Sequence, residues 1–209
     1  MNIACAKKNS DSDEITHQPI FLVTHEERAR LNGHVGKVIW FTGLSGAGKS
    51  TLANSLEIEL YRNSLRTYII DGDNVREGLN SDLEFTEADR IENLRRATEV
   101  AKLMMDAGLI VIAAFISPFK RERERIKKSI GEANFIEVFV STPLEVCEQR
   151  DAKGLYKKAR DGKILNMTGI SSPYEVPDFP NFTVNTHKPT DRFVQELANF
   201  IINLTRLKA

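Results

Sequence analysis

The stretch "KVIWFTGLSGAGKSTLANSLEIEL", Lys37 to Leu60, constrains the fold more than any other part of the chain. Its middle meets the spacing G-x-x-x-x-G-K-[ST] through Gly43, Leu44, Ser45, Gly46, Ala47, Gly48, Lys49 and Ser50, with Thr51 next in line. The apolar run ahead of it reads as a strand, and behind it Leu52, Leu56 and Leu60 recur at helical spacing. A strand that turns through glycines into a helix aims converging backbone N–H groups and the positive end of the helix dipole at one point, where a phosphate fits. Motif and context agree, which sets aside a glycine-rich turn that binds nothing. The spacing assigns Lys49 to the β- and γ-phosphates of a bound nucleotide and Ser50 to Mg²⁺.

Further along, short apolar runs alternate with helical periodicity, the pattern of a parallel sheet with crossover helices. Five strands are expected: 37–41, 67–71, 109–115, 135–140 and 182–186. "LIVIAAF" is apolar throughout, as a strand covered on both faces should be. Leu94, Ala97, Ala101 and Met104 share one helical face, and "DRFVQELANFIINLTRL" places Phe193, Val194, Leu197, Phe200, Ile201 and Leu204 on another. The expected fold is α/β, a three-layer P-loop NTPase fold whose five-stranded parallel sheet is flanked by helices. Residues 1–23 read as a flexible polar extension, and 24–209 as one domain opened by a helix with Thr24 as cap and Glu27 three positions on.

Charge and cysteine content narrow the function classes. With 29 basic and 29 acidic residues the global field cancels, which argues against nucleic acid or an anionic membrane surface as partner. Two cysteines, Cys5 and Cys147, are too few for a disulfide framework, and no apolar run or leader suggests a membrane or secretory route. A cytoplasmic protein is expected. His17, His25, His34 and His187 lack ligand spacing, and Cys147 reads as a small buried residue. The alternating charges of "KRERERIKK" read as a solvated helix face. No N-K-x-D segment supports a GTP switch, so phosphoryl transfer to a small molecule is preferred over a switch or an assembly ATPase.

Acceptor residues should gather at the carboxyl ends of the strands. "DGDNVREGLN" puts Asp71 and Asp73 there, two carboxylates suited to Mg²⁺ and to an acceptor hydroxyl, with Arg76 just beyond. Phe85, Arg90 and Asn93 add a flat ring, a guanidinium and an amide near the start of a long helix, a set that suits an acceptor with both an anionic group and a planar base. Lys153 leads the candidates in a basic segment placed to act as a lid over about 150–172.

Taken together, "FTGLSGAGKST", "DGDNVREGLN", "DRIENLRRATEVAKL", "FISPF", "TPLEVCEQRDAKGLYKKARDGKI" and "TGISSPYEVP" resemble the adenylylsulfate kinases from about Arg28 to Lys208. The P-loop alone is common to many enzymes, whereas the ordered set of the other five segments is specific. The resemblance implies transfer of the γ-phosphate of ATP to the 3′-hydroxyl of adenosine 5′-phosphosulfate (adenylyl sulfate), giving 3′-phosphoadenylyl sulfate and ADP in sulfate assimilation. It further implies that Asp73 orients or deprotonates that hydroxyl, that Arg76, Arg90 and Asn93 hold the phosphosulfate, that Phe85 stacks on the acceptor adenine, and that Arg150 and Thr186 flank the ATP adenine. Met167 stands where the family commonly has a phenylalanine covering the other face of that adenine. Ile116 and Ser117 of "FISPF" join the acceptor site, and Ser117 inherits a phosphoserine label that in-line transfer does not require. A homodimer is the assembly implied. Another small-metabolite kinase, of the gluconate or shikimate type, and a non-catalytic nucleotide-binding module are the alternatives.

Overall fold

The computed structural model describes residues 22–207. The extension expected over 1–23 therefore lies outside the described residues save for its last two positions, as do Cys5 and His17. Helix α1 (His25–Asn32) opens with the expected capping box: the Thr24 hydroxyl accepts from the Glu27 N–H while the Glu27 carboxylate accepts from the Thr24 N–H. There follow β1 (Lys37–Thr42), α2 (Lys49–Arg62), β2 (Thr67–Asp71), the single turn α3 (Asn74–Glu77), α4 (Glu87–Asp106), β3 (Ile110–Ala114), α5 (Lys120–Ile130), β4 (Phe135–Val140), α6 (Leu144–Arg150), α7 (Leu155–Arg160), β5 (Phe182–Val184) and α8 (Asp191–Thr205).

The five strands form one parallel sheet in the order β2-β3-β1-β4-β5. Side-chain alternation along β1 divides the core: Ile39 and Phe41 enter the layer of α2 and α8, while Val38 and Trp40 enter the layer of α4 and α5. All four are fully buried, which is why this strand reads as uninterrupted apolar sequence. On the α4 side Trp40 stacks on Phe115 with ring centroids 5.0 Å apart.

Two expectations change. The buried stripe of α8 is Val194, Leu197, Ala198, Ile201, Ile202 and Thr205; Phe200 and Leu204 are partly exposed, because the helix is rotated toward α2 and Phe200 is left to meet Phe182 edge-on. The solvated reading of α5 fails at Glu122 and Arg123, both buried. Arg123 is 4% exposed; its guanidinium donates to the Ser117 and Glu175 carbonyls, and its Nε lies 3.0 Å from Glu137 Oε1, an ion pair without hydrogen-bond alignment. Burial raises the Glu137 carboxyl, with the Arg123 charge opposing.

At the opposite, amino edge of the sheet His34 is completely buried and ties three chain segments together. Its Nε2 accepts from the Arg66 N–H at 3.0 Å, its Nδ1 faces the Val35 carbonyl, and its backbone bridges to Arg206. Burial pushes the imidazole below its ordinary value, because protonating Nε2 would remove the Arg66 acceptor and place a charge in the core. The folded state therefore favours neutral His34; this stability is present above the unfolded value of about 6.5 and is lost as pH falls through the lower folded value. Wild type should lose thermal stability more steeply than His34→Gln below about pH 6.5, and parallel slopes in a pH series of melting curves would contradict this assignment.

Candidate active site

The loop between β1 and α2 is shaped by steric limits. A side chain at Gly43 would put its Cβ 2.6 Å from the Val140 carbonyl, and Gly48 sits at φ +98°, a left-handed conformation that disfavours other residues. No side chain caps α2, and no acidic residue lies in its first turn. Its leading N–H groups are thus left for an anion. Lys49, 9% exposed, folds back to donate to the Gly43 and Leu44 carbonyls at 3.0 and 2.7 Å. Burial pushes this ammonium down to about 8, with Asp71 pulling the other way.

Across the loop, the Ser50 hydroxyl donates to Asp71 Oδ2 at 2.6 Å, and the other Asp71 oxygen accepts from the Asp73 N–H at 2.9 Å. A hydroxyl and a carboxylate held together at the edge of a phosphate loop form an oxygen donor pair of the kind Mg²⁺ takes alongside substrate phosphates. The Asp73 carboxylate turns away from this pair and meets Lys153 Nζ, which reaches it from the turn between α6 and α7. The basic segment that carries Lys153 is docked on the loop: Tyr156 is buried and its hydroxyl donates to the Ser45 carbonyl at 2.9 Å, while Asp151 accepts the Tyr156 and Lys157 N–H groups.

Arg150 and Thr186 meet on the far side of the loop. The Arg150 guanidinium donates to Thr186 Oγ1 and O and to the Gly46 carbonyl, and Thr186 Oγ1 in turn donates to the Ala47 carbonyl at 2.7 Å. Thr142 completes this group through Ala47 and Thr186.

A second wall rises over β2 and β3. Arg76 donates to the Leu83 and Glu84 carbonyls and lies 4.5 Å from the centre of the Phe85 ring, itself 63% exposed. One turn into α4, Arg90 binds the Phe85 carbonyl, Thr168 Oγ1 and the Asn166 carbonyl, which fastens the segment after α7 to the start of this helix. Asn93 follows on the same face and is bonded by Asn80.

Two expected contributors are buried. Met167 is 6% exposed and belongs to the core cluster on the α2 and α8 side, while the Phe85 ring is 63% exposed. Ser117, 2% exposed at φ +39°, spends its hydroxyl internally: it accepts from Trp40 Nε1 at 3.1 Å and donates to Thr42 Oγ1 at 2.9 Å. Neighbouring Ile116 is half-buried, and its carbonyl accepts from Thr42. Sequence reasoning missed Tyr156, Thr142, Asn80 and Arg123. All four lay inside segments already singled out, but nothing local marked them among their neighbours.

A phosphate loop opening an uncapped helix, a hydroxyl–carboxylate pair beside it and a basic segment docked over both define a P-loop phosphotransferase of the α/β class. Residues 35–185 match the family model for adenylylsulphate kinase. The chain belongs to that family. It is 54% identical to the adenylyl-sulfate kinase of Clostridium kluyveri over 187 residues, 90% of this chain and 92% of that one. Against the Shewanella amazonensis adenylyl-sulfate kinase it is 56% identical, covering 87% and 92% of the two chains. Among solved structures, the Mycobacterium tuberculosis APS kinase in complex with AMPPNP and APS aligns with a TM-score of 0.74 at 46% identity, over 81% of this chain and 97% of that one. Among the described residues no helix is long and apolar enough to cross a membrane.

The buried positions of Lys49 and Ser117 yield two expected outcomes. Bound triphosphate favours the charged form of Lys49, so binding of Mg·ATP at about pH 8.5 should take up about three-quarters of a proton at Lys49, and almost none at about pH 6.5. Calorimetry in two buffers of different ionisation enthalpy measures this; identical heats at the higher pH would contradict it. Ser117→Ala orphans the buried Trp40 N–H at a cost of about 1–3 kcal/mol in stability, yet the variant should keep most of its turnover when assayed below its melting temperature.

Proposed function

We propose that the chain phosphorylates the 3′-hydroxyl of adenylyl sulfate with ATP, as its family membership implies. The observation that carries this reading is the Lys153–Asp73 pair, which stands between the phosphate loop on one side and the Arg76, Phe85, Arg90 and Asn93 wall on the other. A donor site and an acceptor site of different character therefore share one carboxylate.

In this reading Gly43 to Thr51 grip the ATP phosphates through backbone N–H groups and the Lys49 ammonium, while Arg150 and Thr186 border its adenine. Ser50 and Asp71 hold Mg²⁺, with Asp73 close by. When bound, the cation neutralises charge on the β- and γ-phosphates. Arg76, Arg90 and Asn93 hold the phosphosulfate and Phe85 supports the acceptor adenine on its exposed face. Asp73 orients the 3′-hydroxyl and takes its proton as the oxygen attacks the γ-phosphorus. The new P–O bond forms to the ribose oxygen, the β–γ bridge breaks, and ADP leaves.

Lys153 acts from the lid. Its ammonium neutralises Asp73 until substrates enter and then stands beside the transferring phosphoryl group, where a cation is worth most. Residues 150–172 serve as that lid and 24–209 as the kinase domain; a homodimer belongs to the same reading. Ser117 supports the acceptor floor through its bonds to Trp40 and Thr42, and the transfer is direct.

An acceptor panel tests the whole. With Mg·ATP fixed, adenylyl sulfate should drive ADP release at least about a hundredfold above gluconate, shikimate or no acceptor, given the contacts only the nucleotide can fill. Equal release with gluconate would favour the other small-metabolite kinases, and none with any acceptor a binding module. Lys49→Ala should lower kcat by at least about a hundredfold, as loss of a cation at the transferring phosphate implies.

A further inference from the structure

Asn80 lies in the turn after α3 and is wholly closed to solvent. Its backbone is held at both ends, its N–H donating to the Val75 carbonyl at 2.7 Å and its carbonyl accepting from the Leu83 N–H at 3.1 Å. The side chain reaches α4. Asn80 Nδ2 donates to Asn93 Oδ1 at 2.9 Å and lies 3.4 Å from the Asn93 carbonyl, while Asn80 Oδ1 has no donor among the described residues.

That orientation is dictated by α4. Turning the Asn80 amide over would set its oxygen against the Asn93 carbonyl, acceptor facing acceptor. The backbone of the helix thus chooses which end of the Asn80 amide points inward, and Asn80 in turn chooses which end of Asn93 does. Asn93 Oδ1 is turned toward Asn80 by the contact. Its Nδ2 has no protein acceptor among the described residues and, unlike Asn80 Oδ1, is not sealed from solvent. What Asn93 can offer a ligand is a donor.

We propose that Asn80 is a positioning residue for phosphoryl transfer: it fixes the polarity of the Asn93 amide so that N–H, rather than C=O, faces the anionic phosphosulfate of the acceptor. The inference rests on the adenylyl sulfate reading of this wall. Sulfate and phosphate oxygens only accept, so an Asn93 free to turn would spend part of its time presenting a repelling carbonyl. A purely structural role is a poor account of Asn80, because its buried oxygen is left unpaired where a hydrocarbon side chain would carry no such cost.

The test is a double-mutant cycle in the full chain, with ADP release measured at saturating ATP and varied adenylyl sulfate, and thermal unfolding recorded in parallel. Asn80→Ala should raise the KM for adenylyl sulfate about tenfold while leaving the KM for ATP within about twofold, the size expected for a misdirected donor to a charged group. In an Asn93→Ala background the same substitution should change the acceptor KM no further. An unchanged KM, or an equal rise in both backgrounds, overturns the proposal. Should Asn80→Ala be too unstable to purify, the near-isosteric Asn80→Leu serves in the same cycle: it fills the buried space, offers Asn93 no donor and should raise the acceptor KM to a similar extent. If wild type releases no ADP in response to adenylyl sulfate, the functional reading falls and this inference with it; wild-type turnover with no effect at Asn80 defeats the inference alone.

Discussion

The leading N–H groups of α2, left without a side-chain cap, are the feature on which the remaining organisation depends. A helix start facing a cleft with no acceptor is a poor arrangement for stability alone. Here it is made tolerable by fixing the loop from below and behind: Gly43 lies against Val140, Thr142 and Thr186 hold the Ala47 carbonyl, and Lys49 bends back onto the loop's own oxygens. The cradle is therefore rigid before any phosphate arrives. Preorganised donors need no rearrangement at the moment of transfer, which is the condition under which they are most effective.

Around this fixed point the basic segment is attached at several places rather than at a single hinge. Tyr156 binds the loop at Ser45, Lys153 binds Asp73, and Arg90 binds Asn166 and Thr168 from α4. The first of these is buried and neutral, the second is an exposed ion pair, and exposed pairs contribute little to stability. Opening the cleft therefore costs little at Lys153 and more at Tyr156. The segment is thus held more firmly at Ser45 than at its charged tip.

How much of this was legible in the sequence differs by the range of the interaction involved. The phosphate loop, the five strands and the Thr24–Glu27 cap depend on neighbours within a few positions, and each lies where the local pattern put it, give or take the ends of β1, β3 and β5. Met167, Ser117 and Arg123 depend on partners far along the chain. Met167 occupies the place of an aromatic but is flexible enough to join the core cluster. Ser117 follows a strand in an apparently open position, yet Trp40 and Thr42 on the neighbouring strand claim its hydroxyl. Arg123 looks like one charge among many in an alternating run; only the fold brings Glu137, Tyr174 and the Ser117 carbonyl around it. Charge alternation reports an exposed helix face correctly until one member is needed inside, and nothing local marks which.

These buried polar residues form a continuous support beneath the cleft. From Glu137 the chain runs through Arg123 to the Ser117 carbonyl, and from the Ser117 hydroxyl through Thr42 to Tyr174, whose ring stacks on Phe139 of β4. It joins β1, β4, the segment after β3 and the strap at Tyr174 and Glu175 that returns from the lid toward β5. An apolar filling could supply comparable burial, but it would leave these four segments free to slide; directional bonds fix their relative height. That matters because the two walls of the site stand on different strands, the phosphate loop on β1 and the wall of Arg76, Phe85, Arg90 and Asn93 over β2 and β3. In-line transfer tolerates little error in the distance between reacting groups, and the buried Arg123–Glu137 centre lies where it can hold the spacing of these strands.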